Sequence, residues 1–201
     1  MKSVWTTAMA FGLGVAAAYG QAGALPVETP LTRTGQIVVA GQRAEFVVRH
    51  LPVNAFPALP TRVAAELNQR SCTIPQTYEA HRPENVVRAS LERAGSEDWA
   101  VLCSSGGTVS LLVFFASNTE PAVLATAQET ERLQAHNPSG VLGFNWGIDP
   151  ATPEQVRQGQ SGMRPLPARL DHDALADAVV EHKTAYHFYA QGAWTLVAMP
   201  D

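Results

Sequence analysis

Residues 87–115 read VRASLERAGSEDWAVLCSSGGTVSLLVFF and carry the clearest strand pattern in the chain. Apolar and polar residues alternate in three segments, which short glycine-containing turns at residues 94–96 and 104–107 separate. Alternation with a period of two indicates a half-buried strand, and short turns of this kind join antiparallel neighbours. The stretch therefore predicts a three-stranded antiparallel meander at the centre of a sheet.

Weaker strand patterns flank this meander on both sides. Residues 37–40 and 44–49 are expected to form one hairpin, and residues 186–190 and 193–199 another. Residues 141–146 are a further short strand candidate. The chain is expected to form an antiparallel sheet of about five strands around the meander, which is a typical size for a globular domain.

Helical signals occur in three segments, which are residues 61–70, 153–159 and 174–182. The second follows an N-cap at Thr152, with proline at the first helical position and glutamine three residues after the cap. In the third, Asp173 can serve as the N-cap of an amphipathic segment. An antiparallel sheet with two to three helices on one face is an α+β domain, which is the predicted fold class.

The N-terminal segment has the pattern of an export signal. Lys2 supplies a positive charge, residues 8–19 are uncharged and mostly apolar, and small residues follow them. That order is typical of a cleaved signal peptide. We therefore assign residues 1–22 to a signal peptide, residues 23–36 to an irregular arm rich in proline and threonine, and residues 37–201 to a single domain. The mature protein is expected in the periplasm or outside the cell.

Charge and hydropathy argue against two classes of partner. The net charge is -4, and the basic residues form no cluster. A surface of this sign is repelled by phosphate backbones, so nucleic-acid binding is not expected. After the signal segment, no apolar run approaches the ~20 residues that a helical membrane span needs. The expected partner is therefore an unidentified protein or an envelope ligand.

Cys72 and Cys103 are the only cysteines of the chain. An even number of cysteines in an exported protein favours a disulfide, because oxidising compartments allow the bond to persist. The alternative is a pair of buried free thiols, which behave as small apolar side chains. A bond between them closes a loop of about 31 residues, which is worth roughly 3.7 kcal/mol in the chain-entropy model.

Three segments carry a resemblance to a known family. The sequences CTIPQ at residues 72–76, DWAVLCS at residues 98–104 and LLVF at residues 111–114 resemble the core of a family of uncharacterised exported bacterial proteins. The likeness runs from about residue 51 to the end of the chain. It implies an exported domain with a Cys72–Cys103 pair, and it implies no activity, substrate or catalytic residue.

The six histidines prompt a search for a metal site. His182 and His187 lie about 140° apart on an ideal helix and on opposite faces of a strand, so one element cannot present both to one ion. The remaining histidines have no ligand partner at the spacings of recognised metal motifs. We therefore expect neither a bound metal nor a cofactor.

Asp171, His172 and Asp173 form the densest polar cluster of the sequence. The favoured interpretation is a helix N-terminus that Asp173 caps, because an amphipathic segment follows directly. The alternative is an acid/base group, in which Asp171, His172 and His187 would be the catalytic residues of a hydrolase. Catalytic residues converge in space rather than in sequence, so the lack of a catalytic motif argues only weakly against that alternative.

Two aromatic residues are the candidates for a binding surface. Phe144 and Trp146 lie beside glycine- and proline-rich segments, where exposed aromatics serve binding, although aromatics of small sheet domains more often pack the core. Residues 104–107 are interpreted as a turn and not as an exposed nucleophile.

The leading hypothesis is a non-catalytic domain that binds a protein or an envelope component. An enzyme should instead show a concave site where a histidine meets a carboxylate.

Overall fold

Strands dominate the structure. The computed structural model describes residues 31–162 and 169–198. Of these residues, 51% lie in strands and 14% in helices, so the predicted α+β fold with one sheet of about five strands is wrong. The strands form two sheets instead, one of nine strands and one of four. The predicted signal peptide and the first part of the predicted arm lie outside the described residues.

The nine-stranded sheet is called the larger sheet here, and the four-stranded sheet is called the smaller sheet. The larger sheet consists of β1 (Leu31–Val39), β2 (Gln42–Pro52), β3 (Thr73–Gln76), β4 (Val86–Ala89), β5 (Asp98–Ser105), β6 (Thr108–Phe114), β7 (Ala122–Gln128), β8 (Leu133–Ala135) and β9 (Leu142–Phe144). The smaller sheet consists of β10 (Trp146–Ala151), β11 (Ala174–Val179), β12 (Lys183–Ala190) and β13 (Ala193–Ala198). The helices are α1 (Thr61–Gln69) and α2 (Pro153–Gly159).

The predicted meander is confirmed as β4, β5 and β6, which pair antiparallel in chain order. The order across the larger sheet is β7-β6-β5-β3-β2-β9-β8, with β1 on β2 and β4 on β5. The first hairpin is also confirmed, but it is longer than predicted. Residues 31–36 were expected in an irregular arm and instead pair in β1 with the second half of β2. The parallel pairing of β2 with β9 has no counterpart in the predictions.

Two helix predictions hold and one fails. Helix α1 follows Pro60, and α2 has the predicted capping box, in which Thr152 accepts from the Gln155 backbone and Gln155 accepts from the Thr152 backbone. Residues 174–179, predicted as part of a third helix, form β11 between β10 and β12. Short apolar patterns are compatible with both structures, and two flanking strands supply β11 with backbone partners on both sides. The Asp173 carboxylate caps no helix and accepts a hydrogen bond from the Ser90 backbone at 3.0 Å.

The core consists of layers on both faces of the larger sheet. Helix α1 packs on one face through Val63 and Leu67. The smaller sheet covers the opposite face, where Trp146 and Leu175 join the largest core cluster. Helix α2 covers the outer face of the smaller sheet through Val156. The meander strands β5 and β6 are therefore buried on both faces, which explains their nearly continuous apolar run at residues 111–115.

The predicted Cys72–Cys103 disulfide is present, with 5.0 Å between the Cα atoms. Cys72 follows α1 and Cys103 lies on β5, so the bond joins the helix layer to the larger sheet. Both residues are buried in the core cluster that α1 forms with the sheet. Within residues 31–162 and 169–198, no helix has the length and hydropathy to cross a membrane.

Candidate functional site

A cleft of about 430 Å³ lies on the face of β2 that carries Val47 and Arg49. Its volume falls within the range of small-molecule sites, which is roughly 300–1,000 Å³. Side chains alternate along β2, so Phe46 and Val48 are buried in the core while Val47 is 43% exposed in the cleft. We call this feature the Tyr78 cleft, and its lining includes Thr32, Val47, Arg49, Gln76, Tyr78, His136 and Asn137.

Two stacked rings form one wall of the Tyr78 cleft. The ring centroids of Tyr78 and His136 are 4.8 Å apart, and the ring planes differ by 10°. Both side chains lie over Gly143 of β9. A Cβ atom at that position would lie 2.6 Å from the Tyr78 Cβ and 2.9 Å from the His136 Cδ2. The missing side chain of Gly143 therefore makes the room in which the two rings meet.

Several bonds hold Tyr78 in place. Its backbone N–H donates to the Phe144 carbonyl at 2.9 Å, and its hydroxyl donates to Glu181 Oε2 at 2.9 Å. Burial and the neighbouring Glu181 carboxylate raise the pKa of Tyr78 to about 12. The phenol therefore stays protonated at neutral pH and remains a donor. Because the hydroxyl is engaged outside the cleft, Tyr78 contributes its ring rather than its polar atom to the wall.

A smaller pocket of about 140 Å³ shares Arg49 and Gln76 with the Tyr78 cleft. Its other lining residues include His81 and Arg82, and we call it the Arg82 pocket. The Arg49 guanidinium donates from Nη2 to the Ala80 carbonyl at 2.6 Å, which orients the side chain between the two spaces. Among the described residues, no aspartate or glutamate lines either one, although the chain has 18 acidic residues. Together they form an extended cleft with basic lining.

An acidic pocket of about 490 Å³ lies nearby and shares Thr77 with the Tyr78 cleft. Its lining includes Glu79, Glu84, Asp149 and Glu181. Burial raises the pKa of Asp149, and the charge of Glu84 raises it further. No group of three or more metal-ligating side chains in residues 31–162 and 169–198 has an arrangement that holds a metal ion.

A buried carboxylate, Glu129, lies beside a cavity of about 440 Å³ that His50 of β2 also lines. Its Oε1 accepts from Arg33 at 2.9 Å, and its Oε2 lies 2.8 Å from both His50 Nε2 and Ser104 Oγ. We call these four residues the Glu129 cluster. Burial raises the pKa of Glu129, but the bonds from His50 and Ser104 and the charges of His50 and Arg33 outweigh that effect and lower it.

The Glu129 cluster contains a serine, a histidine and a carboxylate, yet its geometry differs from that of a catalytic triad. In a triad, the serine hydroxyl donates to the histidine, which the carboxylate orients. Here Ser104 donates to the carboxylate, and both carboxylate oxygens are occupied. A carboxylate with a lowered pKa is also a weak base. The cluster therefore neutralises a buried charge and connects β1, β2 and β5 to the segment after β7.

The residues of the hydrolase alternative bond to other partners. His187 Nε2 lies 3.0 Å from Asp177 Oδ2, and His172 Nδ1 lies 2.9 Å from the Asp173 carbonyl oxygen. Both histidines are buried. Asp171 is exposed on the segment before β11. His172 and His187 thus contact different partners, a backbone carbonyl and the Asp177 carboxylate.

The two aromatic binding candidates belong to the core. Phe144 and Trp146 have no exposed surface, so the prediction that they form a binding surface is wrong. The Trp146 indole N–H donates to Asp177 Oδ1 at 2.7 Å, and the Arg132 guanidinium lies 4.1 Å from the centroid of its ring. The sequence analysis also missed Tyr78 and His136. The signal that could have indicated them is Gly143, because a glycine inside a strand often marks a close approach of other groups.

Comparison of the chain with protein-family models, with curated proteins and with solved structures finds no match. The resemblance to a family of exported proteins therefore stays a prediction. The function has to be argued from the geometry of the site itself.

Proposed function

We propose that the protein is an exported, non-catalytic domain that binds an envelope component in the Tyr78 cleft. The observation that carries this proposal is the stacked pair of Tyr78 and His136 on Gly143, at the side of a cleft of about 430 Å³. Binding sites for small ligands combine an apolar or aromatic wall with a few polar groups that fix orientation. In this cleft, Thr32 and Asn137 supply such polar groups.

The cleft is preformed, which favours binding over a purely structural role. Tyr78 is held by its backbone and by its hydroxyl, and Arg49 is held by the Ala80 carbonyl. A site whose side chains are already ordered loses little conformational entropy when a ligand binds. Val47 is also exposed at the floor of the cleft, where a ligand would remove its apolar surface from water.

Export is supported by three features of the chain. The N-terminal residues have the order of charge, apolar core and small residues that signal peptides share. The Cys72–Cys103 disulfide is of the kind that persists in oxidising compartments. The described helices include none that could cross a membrane. We accordingly propose a periplasmic or secreted protein.

We propose that the domain is not catalytic, because the carboxylates that contact histidines are also bonded to other donors. Glu129 and Asp177 each contact a histidine, but Glu129 is also bonded to Ser104 and Arg33, and Asp177 to the Trp146 indole. Against the effect of burial, the pKa of Glu129 is lowered by its bonds to His50 and Ser104, whereas a general acid near neutral pH needs a raised pKa.

Cosedimentation with the insoluble cell-envelope fraction of the source bacterium tests the proposal. The wild-type protein should pellet with this fraction, and His136→Ala and Gly143→Val should pellet less. The second variant places a branched side chain where the two rings meet, and its folding is checked by circular dichroism. The matched control is His182→Ala, because His182 is another exposed histidine but lines the acidic pocket instead. Equal pelleting of His136→Ala and wild type would show that the cleft is not the binding site.

A further inference from the structure

We infer that the ligand of the extended cleft is an anionic saccharide, with a sugar ring against the Tyr78–His136 wall and its carboxylate or phosphate beside Arg49 and Arg82. This inference rests on the proposed function, because it names the chemical class that the same cleft would take. It combines three observations, which concern the charge of the cleft, its position on the sheet and the shape of its wall.

The charge of the extended cleft is opposite to that of the chain. The protein has 18 acidic and 14 basic residues, yet the described lining contains Arg49, Arg82, His81 and His136 and no carboxylate. Arg49 uses Nη2 to bind the Ala80 carbonyl, and a guanidinium has five N–H donors in total. The remaining donors suit the planar geometry of a carboxylate or the oxygens of a phosphate.

The acidic pocket shows that basic and acidic side chains line separate pockets that lie close together. Glu84 and Asp149 lie behind the Arg82 pocket and line the acidic pocket instead. Glu84 Oε1 accepts from the Thr77 backbone at 2.8 Å, and Glu84 lines neither the Tyr78 cleft nor the Arg82 pocket. Burial and the charge of Glu84 raise the pKa of Asp149, and the charge of Arg82 opposes this rise, so Arg82 also interacts with a carboxylate of the acidic pocket. Of the two arginines, Arg49 therefore interacts less with the carboxylates of the protein itself.

The position on the sheet favours a saccharide over an extended peptide. Extended peptides bind by adding a strand to an unpaired sheet edge. At the floor of the cleft, Val47 of β2 is already paired with Thr34 of β1 and with Gly143 of β9. Arg49 is paired with Thr32 and with Gln76 in the same way. Both residues of β2 at the floor are therefore paired on both sides and leave no free strand edge there.

The shape of the wall fits a ring. A pyranose has a flat face of C–H groups and a rim of hydroxyl groups, so it can pack against an aromatic wall while its rim forms hydrogen bonds. The Tyr78–His136 wall lies in the larger part of the cleft, and the two arginines line the smaller part. A ring and an anionic substituent can occupy these two parts at the same time.

The test is isothermal titration calorimetry with an oligogalacturonate and with its methyl ester, which has the same rings without the charge. The wild-type protein should bind the acid about tenfold more tightly than the ester, since a charge-assisted bond is worth about 1.5–3 kcal/mol. Arg49→Gln and Arg82→Gln should each remove most of this difference, and Arg49→Lys should restore part of it. The matched control is Arg43→Gln, on the same strand and face about 20 Å away at ~3.3 Å per residue.

The outcomes separate this inference from the proposed function. Equal affinity for acid and ester, with loss of both in His136→Ala, would overturn the anionic class and leave the cleft as a saccharide site. Tighter binding of poly-glutamate than of oligogalacturonate would overturn the saccharide class. Binding of a hexose 6-phosphate that depends on Arg49 would support the inference with phosphate as the anion. If no anionic saccharide binds, the inference is wrong, and envelope cosedimentation still tests the cleft independently.

Discussion

The two sheets of the protein are assembled by different kinds of connection. In the smaller sheet, the strand order β10-β11-β12-β13 follows the chain, and two of its three pairings join strands that are separated by a short turn. In the larger sheet, β2 pairs with β1, β3 and β9, of which the last runs parallel and comes from much later in the chain. Pairings of this second kind carry a larger loop-closure cost.

The interactions that hold the sheets differ accordingly. The larger sheet contains the disulfide and the Glu129 cluster, each of which connects segments that are distant in sequence. The smaller sheet is held by apolar packing, by the Trp146–Asp177–His187 contacts and by rings such as Tyr189 and Trp194, whose centroids are 5.4 Å apart. The comparison teaches that the disulfide and the bond from Arg33 to Glu129 belong to the sheet with long-range pairings, whereas a histidine–carboxylate contact occurs in both sheets.

The first test of this comparison removes the buried carboxylate of the larger sheet. Glu129→Ala leaves His50, Ser104 and Arg33 without their acceptor, and removal of one partner from a buried ionic group costs about 3–5 kcal/mol. Urea denaturation should show a loss of this size in the free energy of unfolding. Glu45→Ala is the matched control, since Glu45 is an exposed glutamate on β2 of the same sheet. A loss below about 1 kcal/mol for Glu129→Ala, within the range of surface substitutions, would mean that the cluster does not hold the sheet.

The disulfide provides the second test. Cys72→Ser and Cys103→Ser should each lower the free energy of unfolding by about 2–5 kcal/mol, because the unfolded chain gains conformational freedom. The double variant should lose no more than either single variant, since all three lack the same bond. Unfolding of the wild type with reductant should reproduce the loss. Additive losses would instead indicate that the two cysteines stabilise the protein independently. The larger sheet would then not depend on a covalent link.

The third test concerns the polar contacts of the smaller sheet. Asp177→Asn keeps an oxygen that accepts from the Trp146 indole. It replaces the carboxylate oxygen that faces His187 by an amide nitrogen. One impaired hydrogen bond costs about 1–2 kcal/mol, so the variant should be clearly less destabilised than Glu129→Ala. Denaturant unfolding at one pH gives both values. If the two losses were equal, the smaller sheet would depend on its buried carboxylate as strongly as the larger one does.

The fourth test uses pH, because the two sheets carry carboxylates with opposite shifts. The pKa of Glu129 is lowered, so its stabilisation is present above the ordinary pKa of about 4.3 and is lost as pH falls through the lower folded value. The pKa of Asp149 in the smaller sheet is raised, first by burial and then by Glu84. The protonated form of Asp149 favours the folded state. The stabilisation that it provides therefore decreases as pH rises through the higher pKa of the folded protein.

The expected results follow from these signs. Glu129→Gln should flatten the loss of stability below about pH 4.3, the ordinary pKa of a glutamate. Asp149→Asn should slightly stabilise the protein at neutral pH, because it removes a charge that burial disfavours. Unfolding free energies measured across pH provide both slopes, with Glu45→Gln, at an exposed position of β2, as the control. A steeper acid slope in Glu129→Gln would contradict the assigned direction.

Local features of the fold were predictable from the sequence. The meander, both hairpins and α2 depend on alternation, short turns and the Thr152–Gln155 capping box, which act between neighbouring residues. The third predicted helix failed for the opposite reason. Leu175 and its neighbours fit a helix stripe, but β10 and β12 on either side give this segment a strand conformation. Tertiary pairing overrides local preference in such short segments.

The candidate site was less predictable than the elements that support it. Tyr78 and His136 come from segments on opposite sides of the meander, and only the approach of both to Gly143 brings their rings together. The Glu129 cluster likewise combines strands from three parts of the larger sheet. Phe144 and Trp146, which looked like surface aromatics, became core residues because the two sheets pack over them.

By itself, the sequence determined the short-range elements and the disulfide partner, because alternation and capping act through adjacent backbone groups and the chain has only two cysteines. Only the tertiary structure decided the division into two sheets, the parallel pairing of β2 with β9 and the placing of basic and acidic side chains in separate pockets. These features depend on which distant segments bury their apolar faces together. The balance between apolar burial and the loss of chain entropy is set by the whole domain. Short sequence patterns therefore cannot predict it.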